Sequence, residues 1–574
     1  MSGDRLLRAA ARHSGAHLVA LGALAILSAA GHLLLPAALG HTLDQLLTAR
    51  PDATRWVLLC VALLAALAVC DAGEEILTGT VHARGAAWLR ASLIRHVLAV
   101  GPRATSRFAP GDLVARMVGN AAHAGIGPAT AALLLAALAA PLGAVVALGL
   151  IDLWLAVVFL AGAPVLALLL RAFTRASSDC LTRYQQVQGD LAARLAEAVG
   201  GARTIAAAGT ADRERDRILR PLPELARQGH RMWQVQGRAA AQTGGVAPLL
   251  QLGVVATAGL QLAHGRLTVG ELFAASRYAV LAAGVGVLVG YLSGLVRART
   301  AGHRLAEVLA EPATEYGDRE LPPGTGALTF RGVSVQRAGR TVLSGVDLRV
   351  PGGATYAVAG ASGSGKSLLA ALAGRLADPD EGEVLLDGVP LRDLTHAQVR
   401  AAVAYAFERP ALLGDTLAGT IALGADLPRD AVVRAARSAH ADDFVRRLPR
   451  GYDTPCADAP LSGGEVQRLG LARAFAHDGR LLVLDDALSS LDTVTERDIA
   501  EALLGPTTGR TRLIVAHRAT TAARADQVVW LADGRVCAVG PHEELWQLPA
   551  YRKVFGHPAG ESGRGPGQEE DLRA

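Results

Sequence analysis

Apolar residues in the first half of the chain gather in six long blocks, at positions 18–39, 56–77, 128–151, 153–170, 244–263 and 269–296. Each is close to the ~20 residues an α-helix needs to cross bilayer hydrocarbon. The pattern therefore predicts six membrane spans. Between the second and third blocks, and again between the fourth and fifth, it changes to Arg-rich segments at 84–116 and 171–238. These keep helical periodicity, with few breakers apart from Pro102, Pro110, Pro221 and Pro223. They read as membrane helices continued far into the cytosol. Retention of Arg on the cytosolic side places both segments there, together with the N-terminus, which carries Arg5, Arg8 and Arg12. The first block shows no processing site before Leu34-Leu35-Pro36, so it is expected to stay as a span and not to be removed as a signal. Short outer loops are expected near 41–55, Asp152 and 264–267.

Past position 310 the pattern changes. The stretch 311–326 is rich in Pro, Gly and charge without an apolar period, and is expected to be a linker between a membrane domain at 1–310 and a second domain at 327–555. The tail 556–574, rich in Gly, Pro and Glu, is expected to be disordered. No repeat of the six-block unit, no second copy of the C-terminal domain and no peptidase domain ahead of the first span is expected.

Composition agrees with a membrane protein. Of 574 residues 51% are hydrophobic and only 19% charged, and the mean hydropathy is positive. A soluble chain is seldom so apolar. The five cysteines, Cys60, Cys70, Cys180, Cys456 and Cys537, have no CxxC spacing, which argues against a metal site or a disulfide framework. Lys366 and Lys553 are the only lysines; with Ala abundant, that bias points to a GC-rich bacterial genome and not to a nucleic-acid partner. The formal charge of +5 is assigned to cytosolic loops that face anionic lipid.

The candidate chemistry lies in the second domain. The run Gly360-Ala361-Ser362-Gly363-Ser364-Gly365-Lys366-Ser367 follows a predicted strand at 355–359 and opens a predicted helix from Leu368 to 376. Glycines let such a loop aim consecutive N–H groups at phosphate oxygens, Lys366 adds a charge for the β- and γ-phosphates, Ser367 offers a hydroxyl to Mg²⁺, and the helix N-terminus faces the nucleotide. A second apolar strand, 481–484, delivers Asp485 beside the metal. Between the two lies Leu461-Ser462-Gly463-Gly464-Glu465, and after them Ser489-Ser490-Leu491-Asp492 and Ala516-His517-Arg518. In this order the motifs resemble the ATPase of ABC transporters. In that family Ser462, Gly463 and Gly464 would close over a nucleotide held by another copy of the domain, and His517 would reach the γ-phosphate.

The resemblance covers the whole chain. Six spans, two long cytosolic extensions and a C-terminal ATPase resemble a type IV, exporter-type ABC half-transporter: a membrane α-helical bundle fused to an α/β P-loop domain. Phe108-Ala-Pro-Gly111-Asp112-Leu113 and Gly201-Ala-Arg203-Thr204-Ile205 resemble the regions near the two coupling helices, and Gly265-Arg-Leu-Thr268-Val269-Gly270 resembles the entry to the sixth span. The resemblance implies ATP and Mg²⁺ as cofactors, a second half-transporter as partner, and a multi-pass place in the cytoplasmic membrane with the ATPase in the cytosol.

Four departures from the family pattern carry information. Asp486 stands where a Glu normally polarises the attacking water, and losing one methylene withdraws the carboxylate by ~1.5 Å, where ~1 Å of misplacement costs ~10²-fold. Glu408 stands for the glutamine that contacts metal and γ-phosphate; it keeps a ligand oxygen and adds charge. Arg337 falls where an aromatic residue stacks on adenine, and a guanidinium plane also stacks. Asp458 occupies a shortened segment that usually contacts the transmembrane helices. Two accounts follow: a working symmetric dimer, or a slow site in a chain that pairs with a different half-transporter whose Glu is intact.

For cargo, Asp71, Glu74 and Glu75 share one helix face near the cytosolic end of the second span. They either pair with Arg84 or Arg90 or recruit a cationic cargo. Arg277 and Tyr278 in the sixth span pose the same question. The leading expectation is ATP-driven export of an amphipathic peptide, lipid or drug-like compound. Import on the same fold, as in siderophore systems, and a non-transporting ATP sensor are the alternatives.

Overall fold

The computed structural model describes residues 2–556 apart from 285, 338, 424 and 505–508, so the expected tail disorder lies outside the described residues except at Gly556. Two compact units result, Met1–Val100 with Ala104–Pro312, and Gly101–Arg103 with Ala313–Ala574.

The first unit is helical: α1 Gly3–His13, α2 Gly15–Leu47, α3 Ala53–Val100, α4 Pro102–Arg107, α5 Pro110–Ala115, α6 Ala121–Ile151, α7 Leu153–Gly200, α8 Ala202–Ala208, α9 Ala211–Leu219, α10 Leu222–Ala263, α11 Val269–Ala283 and α12 Gly286–Leu309. A single π-helical turn, Arg116–Asn120, joins α5 to α6. Three of these described helical runs, Gly15–Leu47, Ala53–Val100 and Pro110–Ile151, are long and apolar enough to cross a membrane. The fourth and fifth blocks lie within α7 and α10, where Leu153–Val165 and Pro248–Ala263 are the apolar stretches among the described residues. The sixth block departs from expectation. It is two helices, α11 and α12, separated at Gly284, whose N–H turns back to the Leu281 carbonyl at 3.1 Å. Gly284 is poor in helix propensity, and the first of the two helices ends just before it.

Local chemistry sets the helix ends. Asp152 caps α7 by accepting from Trp154 N at 2.8 Å. Thr268 and Glu271 form a reciprocal capping box at the start of α11. Large apolar side chains such as Val69, Ile76, Leu135 and Leu150 (83% exposed) remain on the outer faces, the arrangement suited to a hydrocarbon solvent. Inside, Ala144, Leu148, Leu155, Val254, Ala275 and Tyr278 form a core shared by α6, α7, α10 and α11.

One crossing is unusually close. A Cβ on Gly270 would lie 2.0 Å from the Gly40 carbonyl oxygen, and one on Gly40 2.4 Å from that of Gly270, so only glycine lets α2 and α11 meet there. Asp44 seals the contact, accepting from Thr268 Oγ1 at 2.6 Å and from Gly270 N at 2.7 Å.

Within the acidic group on α3, Asp71 finds partners other than those expected. Asp71 accepts from Ser28 Oγ at 2.7 Å and faces His32 Nε2 at 3.6 Å, both on α2. Arg84 instead meets His17, and Arg90 donates to the carbonyls of Met117 and Val118. The helical rise carries the two arginines roughly 20–30 Å along α3 from Asp71, beyond side-chain reach. The Tyr278 hydroxyl donates to the Leu33 carbonyl at 2.8 Å, which makes it a tie between α11 and α2.

Among its described residues the second unit has ten strands, β1 Leu328–Arg337, β2 Arg340–Val350, β3 Thr355–Ala359, β4 Glu381–Leu386, β5 Val389–Pro390, β6 Val403–Phe407, β7 Leu481–Asp485, β8 Thr511–Val515, β9 Gln527–Ala532 and β10 Arg535–Gly540. They form an antiparallel sheet, β2-β1-β4-β5, and a six-stranded sheet, β10-β9-β3-β8-β7-β6, parallel from β9 to β6. Every residue of β3 and β8 is buried, as strands covered on both faces require. Part of the stretch expected as a linker between the domains is fastened to this unit. Gly317 N donates to the Leu394 carbonyl at 3.1 Å, Arg319 N to that of Asp393 at 2.9 Å, and the Arg375 guanidinium lies over the Tyr316 ring. Its lack of apolar period hid backbone pairing, which needs no side-chain pattern.

Candidate nucleotide site

Because β3, β8, β7 and β6 are parallel neighbours in that order, their C-terminal ends open on one edge, each about 4.8 Å from the next. The phosphate loop leaves β3, Ala516 and His517 follow β8, Asp485 ends β7 with Asp486 just after it, and Glu408 follows β6. Four separated pieces of sequence thus meet on the side of a parallel sheet where ligands bind.

The loop is shaped by backbone that side chains disfavour. Gly363 and Gly365 have φ of 83° and 101°. The helix that follows is Lys366–Ala373, starting two residues before the expected Leu368 and ending at Gly374, whose N–H closes on Ala370. Lys366 Nζ donates to the carbonyls of Gly360 at 2.8 Å and Ala361 at 3.0 Å. Burial holds its ammonium below the usual lysine range, while Asp486 and Asp485 oppose that shift. Ser364 Oγ is buried without a hydrogen-bond partner. Ser362 is exposed at the loop's turn.

The carboxylates differ in their surroundings. Asp485 Oδ1 is buried with no partner, and burial pushes this carboxyl above the usual aspartate range, opposed by the Ser367 hydroxyl and reinforced by Asp486 and Glu408. An orphaned carboxylate oxygen beside a serine hydroxyl is a donor set that fits Mg²⁺, a hard cation that prefers oxygen. Asp486 sits at φ 53°, and its Oδ2 lies 2.8 Å from His517 Nε2. Burial raises its carboxyl too; His517 and Lys366 pull it back, and Glu408 adds to the rise. Glu408 itself is exposed, its carboxylate 3.7 Å from Arg409 Nε. Arg337 is exposed at the end of β1 and donates to the Gln336 carbonyl at 2.9 Å.

Ser462 begins the helix Gly463–Ala476 and forms a capping box with Glu465, Ser462 N and Oγ each lying 2.8 Å from Glu465 Oε2. The Ser-x-x-Glu spacing in the sequence predicts that cap. A second residue of this helix escaped the motif analysis. Gln467, 1% exposed, donates to the carbonyls of Glu408 at 3.2 Å and Asp486 at 3.3 Å and accepts from Ser490 N at 3.0 Å. A polar residue on a helix face otherwise made of Leu and Gly is the signal that marks it. Asp458 is exposed and pairs with Arg450 at 3.0 Å.

Residues 18–283 match the family described as the ABC transporter transmembrane region, and 343–489 the family described as ABC transporter. The chain is 54% identical over 523 residues, covering 91% of it and 82% of the relative, to the ABC transporter ATP-binding protein RamA of Streptomyces coelicolor. It is an exporter-type ABC half-transporter. The half-transporter is also 35% identical over 390 residues to the ATP-dependent lipid A-core flippase of Chromobacterium violaceum, covering 66% of this chain and 64% of the flippase. In fold, the half-transporter superposes on a solved bacterial Atm1-family ABC exporter with ATP bound, with a TM-score of 0.79 at 24% identity, over 95% of this chain and 99% of that one. As members of this family do, the half-transporter couples ATP hydrolysis to transport, and half-transporters work as dimers.

Proposed function

We propose that this half-transporter exports an amphipathic compound, a peptide, lipid or drug-like molecule, across the cytoplasmic membrane, and that its own ATP site is the slow one in a heterodimer. The observation that carries the second part is the Asp486 carboxylate, one methylene shorter than Glu and engaged with His517 at 2.8 Å. A carboxylate occupied by a histidine is poorly placed to polarise water on the γ-phosphate. Export over import rests on the relatives, several of which are named lipid A-core flippases. Lys366 and the loop N–H groups from Gly360 to Leu368 would hold the phosphates, and Arg337 would stack on the base. Ser367 and Asp485, with Glu408 near, would hold Mg²⁺, which supplies charge neutralisation on the transferring phosphoryl group. Ser462, Gly463 and Gly464 would close the partner's site, which keeps this chain indispensable while its own base is weak.

The test is ATP turnover by the full chain in lipid, alone and with a co-purified half-transporter that has the catalytic Glu. Poor turnover alone and brisk turnover in the pair support the assignment. Brisk turnover by the chain alone sinks it and leaves the symmetric dimer.

A further inference from the structure

Gln467 is not expected to touch nucleotide, metal or water, yet no other side chain among the described residues bonds as many parts of the site. Its amide N–H groups reach the Glu408 and Asp486 carbonyls and Ser489 Oγ, at 3.2, 3.3 and 3.4 Å, and its carbonyl oxygen takes the Ser490 N–H at 3.0 Å. One buried amide thus spans the segment after β6, the end of β7 and the loop that follows it.

The same helix face touches those segments at further points. A Cβ on Gly464 would lie 3.4 Å from the Ser490 carbonyl oxygen, and one on Gly470 2.6 Å from Pro410 Cγ. Arg473 donates to the Ala411 carbonyl at 2.7 Å. Gly464 and Gly470, each three residues from Gln467, flank it on one side of the helix, and the long Arg473 side chain reaches the same segments from further round. At its N-terminus the helix carries Ser462, Gly463 and Gly464, and Glu465 caps that turn.

We propose that Gln467 is a positioning residue that couples occupancy of this chain's own nucleotide site to the posture of its Ser462–Gly464 turn, and so to the partner's site. The proposal rests on the ATP-site assignment above. Its physical basis is satisfaction: the side chain is buried, so a shift of Asp486 or Glu408 when nucleotide binds either carries the helix along or strands buried polar groups. The helix is a rigid element that follows. By linkage the coupling runs both ways, so a partner nucleotide engaged by Ser462 and Gly464 tightens this chain's own site.

The experiment is hydrogen exchange of the full-length chain, paired in lipid nanodiscs with a half-transporter that has the catalytic Glu, with and without Mg-ATP, together with steady-state ATP turnover of that complex. In the unmodified chain ATP slows exchange at 360–367 and also at 462–467 and 486–491. Gln467→Met keeps side-chain volume and removes the polar groups; Gln467→Asn keeps the amide but shortens its reach. In both, protection at 360–367 persists and no longer spreads to 462–467. Turnover falls by about ten- to a hundredfold, the scale of a roughly 1 Å misplacement, and KM for ATP rises in both variants, because the tightening that one occupied site gives the other is lost. Protection that spreads in the variants as in the parent overturns the proposal, as does a parent in which it never spreads. Loss of protection at 360–367 in both variants makes Gln467 a folding residue and also overturns it. Absence of protection at 360–367 in the parent is a different failure, that of the ATP-site assignment.

Discussion

Asp486 and His517, which follow the neighbouring parallel strands β7 and β8, share a hydrogen bond of 2.8 Å. The bond fixes both side chains at the edge where the phosphate loop opens. It is the feature that separates this ATP site from one with a longer, freer carboxylate.

A matched pair of substitutions tests its consequence in the assembled transporter. Ser462→Arg should abolish turnover of the complex, because the side chain intrudes on the partner's γ-phosphate, while Asp486→Asn should lower it by less than about twofold, since the base removed was already misplaced. Equal losses in ATPase assays of the two complexes would favour the symmetric dimer.

Lys366→Ala should reduce nucleotide binding by at least tenfold, roughly the loss of one charge-assisted contact. Titration with a fluorescent ATP analogue measures it. Unchanged affinity would remove the phosphate loop from the site.

Glu408→Gln should shift the acid limb of kcat/KM to lower pH. Burial raises both Asp485 and Asp486, and Glu408 adds to each rise, so its neutralisation lets both carboxyls ionise at lower pH. A stability effect follows with a definite sign. A carboxyl raised by folding binds its proton more tightly in the folded state, so the nucleotide-free chain gains stability as pH falls through that raised value toward the unfolded one. Asp486→Asn should therefore raise Tm at neutral pH, and its advantage should fade on acidification.

Gly270→Ala should destabilise the membrane unit by about 1–3 kcal/mol, the usual result of overpacking, because the added methyl meets Gly40 and Asp44 within 2.5 Å. A fall of several degrees in Tm in detergent is the expected result. Gly253→Ala, whose methyl would have its nearest neighbour at 3.5 Å, is the control that should change little.

In a background with the five native cysteines replaced by Ser, Arg50→Cys should react with an impermeant thiol reagent added outside intact cells and Arg213→Cys should not. The opposite labelling would invert the orientation.

Much of this was legible because long apolar blocks and phosphate-loop spacing are written locally. The strand at 355–359 and Asp485 at the end of β7 were placed from short runs of sequence. What escaped depends on contacts between distant segments. Nothing around Asp71 announces that its partners are Ser28 and His32, since two helices must first pair before that contact exists. The bonds of Gln467 join four pieces of chain, and no local pattern encodes their meeting. The end of α11 inside the sixth block turned on Gly284, within an apolar run that hydropathy alone counts as continuous.

The contact between Gly40 and Gly270 limits how the C-terminal end of α2 and the N-terminal end of α11 can move. Backbones this close interlock, and the Asp44 carboxylate pins one helix start to the other helix's last turns. Sliding along each other would drive side chains into carbonyls within a single residue's travel. Parting at this end about a hinge near the Tyr278–Leu33 tie costs the hydrogen bonds of the Asp44 carboxylate and leaves that tie in place, so any opening here is a swing and not a shear.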